Sequence, residues 1–269
     1  MKTDKIIINI NNLNEIEEYK KIGISNFLFA IEKFSIGYNT FSLDELKSLD
    51  VNVFLLINRM MDNKTVDSFK EIVPKLNFVK GIFFEDLAVY NILADSNIPL
   101  IWNQVQMGTS LLSINYWLNK CASAVLSNSI TESEIINIIN NVAKPVVFNV
   151  LGKNMAMYSR RTLLTNFNKY KNLKDKNKVL LKESIKGNTF LAKENEYGTI
   201  LFDSQYFNYY SILKELNDNN IKYYYINNLD TDPKEIINFI KTGLIPNSYL
   251  GFLNKKTIFK VGDKSDRTS

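Results

Sequence analysis

The chain has 269 residues, 45% apolar and 23% charged, a net charge of +5, no histidine and one cysteine, Cys121. That composition belongs to a folded chain rather than a disordered one, and the length suits one large barrel or two small domains. A zinc site, a Ser-His-Asp or Cys-His nucleophile and an iron–sulfur cluster held by the chain's own cysteines all lack their residues, so no metal and no cofactor is expected.

Carboxylates, lysines and tyrosines are left to carry any chemistry. No apolar run approaches the roughly 18 residues of a membrane span, and the N-terminus lacks the apolar stretch and cleavage site of a signal peptide. The expectation is a cytoplasmic protein with no membrane partner.

Short β-rich apolar runs alternate with helical spacing, the pattern of βα units on a parallel sheet. A strand over 5–10 is followed by helical spacing at Leu13, Ile16, Tyr19 and Ile22 that stops at Gly23, and a second strand spans 26–31. Ser42 precedes Leu43-Asp44-Glu45 as an N-cap with acids in the first turn, before a fully apolar strand over 51–57. A helix over 63–76, a strand over 78–84, a helix over 87–94, a strand over 100–102 and a helix over 110–120 continue the rhythm. A strand over 124–126 precedes a helix over 131–141 that opens on the capping box Thr131 and Glu134, and a seventh strand spans 146–151.

After Gly152 the rhythm breaks. A short helix over 161–167, a Lys/Asn-rich loop and β-type segments over 179–182, 189–193 and 199–202 predict a small antiparallel insert. A helix over 206–216, a strand over 222–226 and a helix started by Asp232-Pro233 complete eight βα units. The fold class predicted is α/β, a TIM-barrel-like closed or incomplete β/α barrel of mostly parallel strands, with an antiparallel β insert (about 177–205) after the seventh strand; a doubly wound open sheet is the alternative. One domain over 1–261 and a frayed tail over 262–269 follow.

Charge is unevenly placed: residues 153–186 hold ten Lys/Arg against two acids, leaving the remainder slightly acidic. Any polyanion contact should begin there.

Residues 145–170, PVVFNVLGKNMAMYSRRTLLTNFNKY, resemble the signature region of the collagenase-like peptidase U32 family, in which a strand ends in Val-His-Gly and a Tyr-Ser-Gly-Arg-Cys segment follows. Val150, Gly152, Tyr158, Ser159, Arg161, Leu163, Leu164 and Asn166 match. Phe41-Ser42-Leu43 with Glu45-Leu46, Asn58, Asp86 after Phe84, Asn115-Tyr116-Trp117, and Gly251-Phe252 with Lys256-Thr257 fall in the family's order, so the resemblance spans nearly the whole chain.

The departures concern reactive positions. The family histidine is Leu151 here, its signature cysteines are Met155 and Thr162, and the glycine before its arginine is Arg160. An Arg-Glu pair falls on Asn128 and Ser129, and the Lys and Glu of a late strand fall on Tyr225 and Asn227. The resemblance implies a peptidase, or an activity that adds hydroxyl groups to RNA bases, notably wobble uridine of tRNA; some members carry iron–sulfur clusters and work in pairs. Similarity to the short members implies a longer U32-family protein as hetero-oligomeric partner, and tRNA as a ligand.

Lys153, Arg160, Arg161, Lys169, Lys171 and Lys174 are candidate RNA contacts, with Tyr158, Phe167 and Tyr170 as stacking partners; a solvated Lys/Asn loop is the plain alternative. Asn58, Glu85, Asp86, Asn103, Gln104 and Asn149 fall at strand carboxyl ends, where a barrel converges them into a polar pocket without an obvious base. Glu85 and Asp86, read as strand neighbours, point to opposite faces, and Asp86 reads first as a helix N-cap. Arg161, Tyr158 and Asp86 are the catalytic candidates. Trp102, Tyr116 and Trp117 read as core, and Met155 and Met157 as a partner surface.

Three functions fit. The first is a catalytically degenerate accessory or RNA-binding subunit in tRNA uridine 5-hydroxylation. The others are a collagenase-like peptidase and a small-metabolite-binding barrel.

Overall fold

The computed structural model describes residues 1–104, 106–174, 176–185 and 187–255. Lys186 of the basic segment, Lys256, Thr257 and the expected tail lie outside the described residues. In chain order, β1 (Ile6–Asn9), α1 (Ile16–Lys20), β2 (Asn26–Ile31), a two-residue β3 (Thr40–Phe41), α2 (Leu43–Lys47), β4 (Asn52–Ile57), α3 (Asn63–Ile72), β5 (Gly81–Phe84) and α4 (Leu87–Leu93) come first. Next are β6 (Leu100–Trp102), α5 (Leu111–Lys120), β7 (Ser123–Ala124), α6 (Glu132–Asn141) and β8 (Val146–Gly152). The insert holds β9 (Met155–Ser159), α7 (Leu163–Tyr170), β10 (Lys178–Lys182), β11 (Thr189–Asn195) and β12 (Gly198–Asp203). The chain then closes through β13 (Tyr206–Asn208), β14 (Ile221–Ile226), α8 (Pro233–Thr242) and β15 (Ser248–Tyr249).

The larger sheet runs β15-β13-β8-β14-β1-β2-β4-β5-β6-β7 with β3 beside β2, and every pair from β8 to β7 is parallel. The smaller sheet, β10-β11-β12-β9, is antiparallel. The α/β class with a mostly parallel sheet and a small antiparallel sheet is therefore as the alternating pattern predicts. Just past β7, Val125 forms a single parallel bridge with Val147 of β8, and the Leu126 N–H donates to the Val147 carbonyl at 3.0 Å.

Local chemistry sets the helix starts. Ser42 and Glu45 form a reciprocal capping box, Thr131 and Glu134 a second, and Asp62 and Asp232 cap α3 and α8. Each satisfies amide groups that a helix start leaves unpaired.

One expectation needs correction, and one strand is an addition. Residues 206–208 form β13, not the start of a helix: Phe207 and Asn208 pair antiparallel with Gly152 and Leu151, and only 3₁₀ turns follow at Tyr210–Glu215. Met155–Ser159, to which the sequence pattern assigns no element, is a strand of the antiparallel sheet, paired to β12.

The parallel strands are buried on both faces. Outward residues such as Ile6, Ile8, Phe27 and Phe29 pack under the helices, while Ile7, Leu28, Ala30, Phe54, Leu56, Phe83, Ile101, Val125, Val147 and Tyr225 form a second, inner cluster. In the tyrosine run, Tyr223 and Tyr225 join the inner cluster and Tyr224 the outer one, as strand alternation requires. The antiparallel sheet lies against the turn between β2 and β3: a Cβ on Gly37, whose φ is +84°, would sit 2.7 Å from Ile200 Cγ2. Glycine there lets the turn and β12 touch.

Candidate functional site

At the carboxyl ends of the parallel strands lies a cavity of about 460 Å³, roofed by the antiparallel sheet. Asn58 follows β4, Glu85 and Asp86 follow β5, Asn103 and Gln104 follow β6, and Asn128 and Ser129 follow β7. Asn149 of β8, Tyr225 of β14 and Asn227 complete this side; Met155 and Tyr158 of β9 and Ile200 and Phe202 of β12 face them. All five expected pocket residues, Asn58, Glu85, Asn103, Gln104 and Asn149, thus line one cavity.

Several of these side chains are occupied in building it. Both ends of the Asn58 amide bind Ile36, whose N–H donates to Oδ1 at 2.9 Å while Nδ2 donates to its carbonyl at 3.1 Å. Gln104 Nε2 donates to the Glu85 carbonyl at 2.7 Å. Asn149, oriented to suit its neighbours, donates to the carbonyls of Leu151 at 2.9 Å and Tyr225 at 3.2 Å. Asp86 caps α4 by accepting from the Ala88 N–H at 2.9 Å, and its other oxygen accepts from the Met61 N–H at 2.7 Å. This candidate acid is thereby committed to holding two loops together, the N-cap role its position predicts.

Other groups are left open. The Oδ1 atoms of Asn103, Asn154 and Asn227 are buried and accept no hydrogen bond among the described residues. Their Nδ2 atoms are used, reaching Glu85 Oε1 at 3.4 Å, Tyr249 Oη at 2.8 Å and Tyr38 Oη at 2.9 Å respectively. A buried carbonyl oxygen without a donor costs free energy, so this wall suits a ligand that brings N–H or O–H groups.

Glu85 is the pocket carboxylate with the most altered proton affinity. It lies beyond the end of β5, so strand alternation does not separate it from Asp86, and both reach the same cavity. Water meets its carboxylate only through the cavity, and burial pushes its pKa up to about 8. At neutral pH Glu85 is therefore mostly a neutral carboxylic acid, able to donate one hydrogen bond and to exchange its proton. Burial likewise raises Tyr38, Tyr158 and Tyr225 above the ordinary phenol range, which keeps them protonated.

The candidate RNA contacts divide. Arg160, Arg161, Lys169, Lys171 and Lys174 are exposed on or beside α7, with Phe167 at 54% and Tyr170 at 78% exposure among them. Arg160 already pairs with Asp62 at 2.9 Å. Lys153 stands apart from that surface: it lines the cavity, with Nζ 4.7 Å from the centre of the Tyr206 ring. Tyr158 also turns to the cavity, where its hydroxyl accepts from the Met60 N–H at 3.4 Å.

Thr162, at the start of α7, makes no side-chain cap. Glu194 of β11 replaces it, accepting from the N–H groups of Leu164 at 2.7 Å and Thr165 at 2.9 Å. Burial opposes ionisation of Glu194, but these bonds and those from the Thr165 and Thr199 hydroxyls keep its carboxyl below the usual range.

Tyr38 reaches the cavity from the turn after β2 with no strand-end pattern to announce it, whereas Lys153 and Asn154 follow the end of β8 directly. The nearest signal for Asn128, Tyr225 and Asn227 is that all three occupy positions where the U32 resemblance has charged residues. Trp102 of β6 and Trp117 of α5 stack at 4.9 Å as core, but Tyr116, expected with them, is 56% exposed because it lies on the outer face of α5.

Among the described residues no helix is long and apolar enough to cross a membrane, and no three His, Cys, Asp or Glu side chains gather as metal ligands would. Over 234 residues the chain is 24% identical to the tRNA hydroxylation protein P2 of Bacillus subtilis (strain 168), covering 82% of this chain and 72% of that one. The model of Peptidase family U32 matches residues 12–242, most of the length, and the chain belongs to that family.

Proposed function

We propose that this protein is an RNA-binding, catalytically reduced member of a tRNA hydroxylation system, seating an uncharged base in the cavity beside a longer U32-family partner. The observation that carries the reading is the chemistry of the cavity wall. Unpartnered amide oxygens on Asn103, Asn154 and Asn227 stand with a protonated Glu85, so this stretch of the wall both accepts and donates through neutral groups, with the charges of Lys153 and Asp86 elsewhere on the lining. A uracil ring offers the complement, an N–H donor and two carbonyl acceptors, and Phe202, Tyr158 and Tyr38 supply ring faces or edges. The exposed basic and aromatic residues of the α7 region supply a path for the strand that carries the base.

The likeness to a tRNA hydroxylation protein supports the same process. The scaffold in this reading is an eight-stranded barrel, supported by an inner cluster drawn from β1, β2, β4, β5, β6, β8 and β14 and from Val125 just past β7, and by the bridge between Val125 and Val147. A cytoplasmic location accompanies it.

Met155 and Thr162, where the family carries cysteines, do not fit a cysteine-held iron–sulfur cluster. Cys121 is buried after α5 with its thiol pushed up to about 11, so no step is routed through such a group. Peptide hydrolysis needs an activated nucleophile, and the cavity tyrosines are pushed away from the phenolate form. A small-metabolite role remains the second reading, favoured by the convergence of polar groups from several strand ends on one cavity.

The test is fluorescence anisotropy with tRNA across a salt series. Arg161→Ala, Lys169→Ala and Lys171→Ala should each weaken binding and lower the slope of log affinity against log salt by about one. Deleting the gene should abolish 5-hydroxyuridine-type modification of tRNA. Unchanged modification together with salt-independent, variant-independent binding would overturn the proposal.

A further inference from the structure

The antiparallel sheet ends in an open edge. Its order is β10-β11-β12-β9, and β10 pairs with β11 alone. Lys178 stands across from Lys193 and Lys182 across from Thr189. Just outside these ends the Glu194 N–H donates to the Asn177 carbonyl and the Glu183 N–H to the Asn188 carbonyl, both at 2.8 Å. Bonded and unbonded pairs alternate along an antiparallel ladder, so Val179 and Leu181 direct their N–H and C=O groups at β11. Lys178, Leu180 and Lys182 direct theirs outward, where they meet no partner among the described residues.

Residues directly across from one another share a face of a sheet. One such row runs Met155, Phe202, Leu191, Leu180 from β9 to β10. Phe202 and Leu191 are buried and Met155 packs on them, whereas Leu180, at the open end, is 73% exposed. The row is apolar throughout and stops only where the strands stop. Lys178 and Lys182 flank Leu180 on the same face, two places to either side, and both are exposed. Lys178 also reaches a second cavity beside the first, where its Nζ lies 2.9 Å from an Asp230 oxygen that Lys193 binds at 3.2 Å. Lys182 makes no ion pair among the described residues. Residues 169–182 as a whole hold six lysines against one acid.

We propose that β10 is a docking edge for an extended acidic segment of a partner protein, which adds to the sheet as a fifth strand. Its pattern is acid-x-apolar-x-acid: the apolar residue lies across from Leu180 and continues the row, and the acids lie across from Lys178 and Lys182. Opposite charges directly across a ladder attract and like charges repel, and this selects the occupant. A second copy is disfavoured, because the two-fold register that sets Leu180 against Leu180 also sets Lys178 against Lys182, twice. An RNA strand has the charge but no ladder of N–H and C=O groups to offer. The edge is also separate from the basic surface of α7: Glu194, which holds the start of that helix, and Leu191 point to opposite faces of β11.

The experiment is hydrogen exchange at single amides, read by NMR on the full chain. The probes are the blocked peptide Thr-Glu-Val-Leu-Val-Glu-Thr and the same peptide with lysine for both glutamates. At saturation the acidic peptide should slow the amides of Lys178, Leu180 and Lys182 by about ten-fold or more and leave Val179 and Leu181, already bonded to β11, little changed. The lysine peptide should slow none of them. Leu180→Pro removes the central outward N–H and no bond to β11, and should abolish the effect. Lys182→Glu should weaken the acidic peptide by on the order of ten-fold. In that variant the two-fold register sets Lys178 of each copy against a carboxylate of the other, so sedimentation should show a dimer that the parent chain does not form.

No slowing by the acidic peptide, equal slowing by both peptides, or slowing indifferent to Leu180→Pro and Lys182→Glu would overturn the docking edge. Lysines that merely shield an edge from pairing predict the first of these. Slowing of the same amides in the parent chain on raising protein concentration assigns the edge to a second copy, and slowing by a tRNA fragment but not by the acidic peptide assigns it to RNA; either sinks the proposal.

Discussion

The parallel and antiparallel sheets bury their residues in different ways. Every residue of β1, β2, β5, β6 and β8 is buried, with apolar groups on both faces. The edge strand β10 leaves Leu180 at 73% and Leu181 at 39% exposure between lysines, and β11 buries Lys193 and Glu194 only by giving each a partner. Apart from Lys222 of β14, whose Nζ donates to the Ala122 carbonyl at 3.2 Å, the parallel strands keep charge out of their layers and collect polar groups where they end. The antiparallel sheet carries charge inside and neutralises it locally. The cavities form at the seam, where amides from one side meet rings and lysines from the other.

The largest expected effect lies in the inner cluster. Phe83 is fully buried, with its ring 6.3 Å from Phe54 and 5.8 Å from Tyr225, and Phe83→Ala should cost about 3–5 kcal/mol in urea unfolding. A loss under about 1 kcal/mol would mean that the parallel layers are not the principal source of stability.

Glu85 makes a pH-dependent contribution. Its folded pKa of about 8 exceeds the ordinary 4.5, so the folded state holds the proton more tightly; this stability is complete below about pH 4.5 and lost as pH rises through 8. Glu85→Gln should match the parent protein near pH 4 and exceed it above pH 8 by on the order of 2 kcal/mol, less than the full shift implies because water reaches the carboxylate. Glu15, raised to about 7 by burial, has the same sign and should leave a smaller decline in the variant. Parallel stability–pH curves for the two proteins would remove Glu85 from the account.

Glu194→Gln should cost about 1–2 kcal/mol and speed hydrogen exchange in α7 more than in β1 or β8, since it unties only the start of that helix. Equal acceleration throughout would show the two sheets unfolding as one unit. At the small end, Leu180→Ala should change stability by less than about 0.5 kcal/mol.

Much of this architecture is legible in the chain because the signals are local. The boxes at Ser42 and Thr131 and the Asp232-Pro233 start are read within four residues, and the doubly buried stretches 27–31 and 53–57 are unbroken apolar runs. The same rhythm puts Asn58 and Asn103 at strand ends, which is why they converge; Asn149 joins them from within β8.

Tertiary context decides the rest. Met155–Ser159 becomes a strand only because β12 returns to pair with it, and Tyr206–Asn208 only because β8 offers an edge. Asp86 and Glu85 are adjacent carboxylates of like chemistry, yet one is consumed by two backbone amides while the other is left desolvated against a cavity. Lys153, Lys178, Lys193 and Asp230 meet only in the folded chain. By itself the sequence determined the alternation of strands and helices, because hydrogen bonding and hydrophobic spacing act over a few residues. Folding alone decided which carboxylate keeps its proton and which lysines share a counterion, because desolvation and charge coupling depend on everything within several ångströms, whatever its place in the chain.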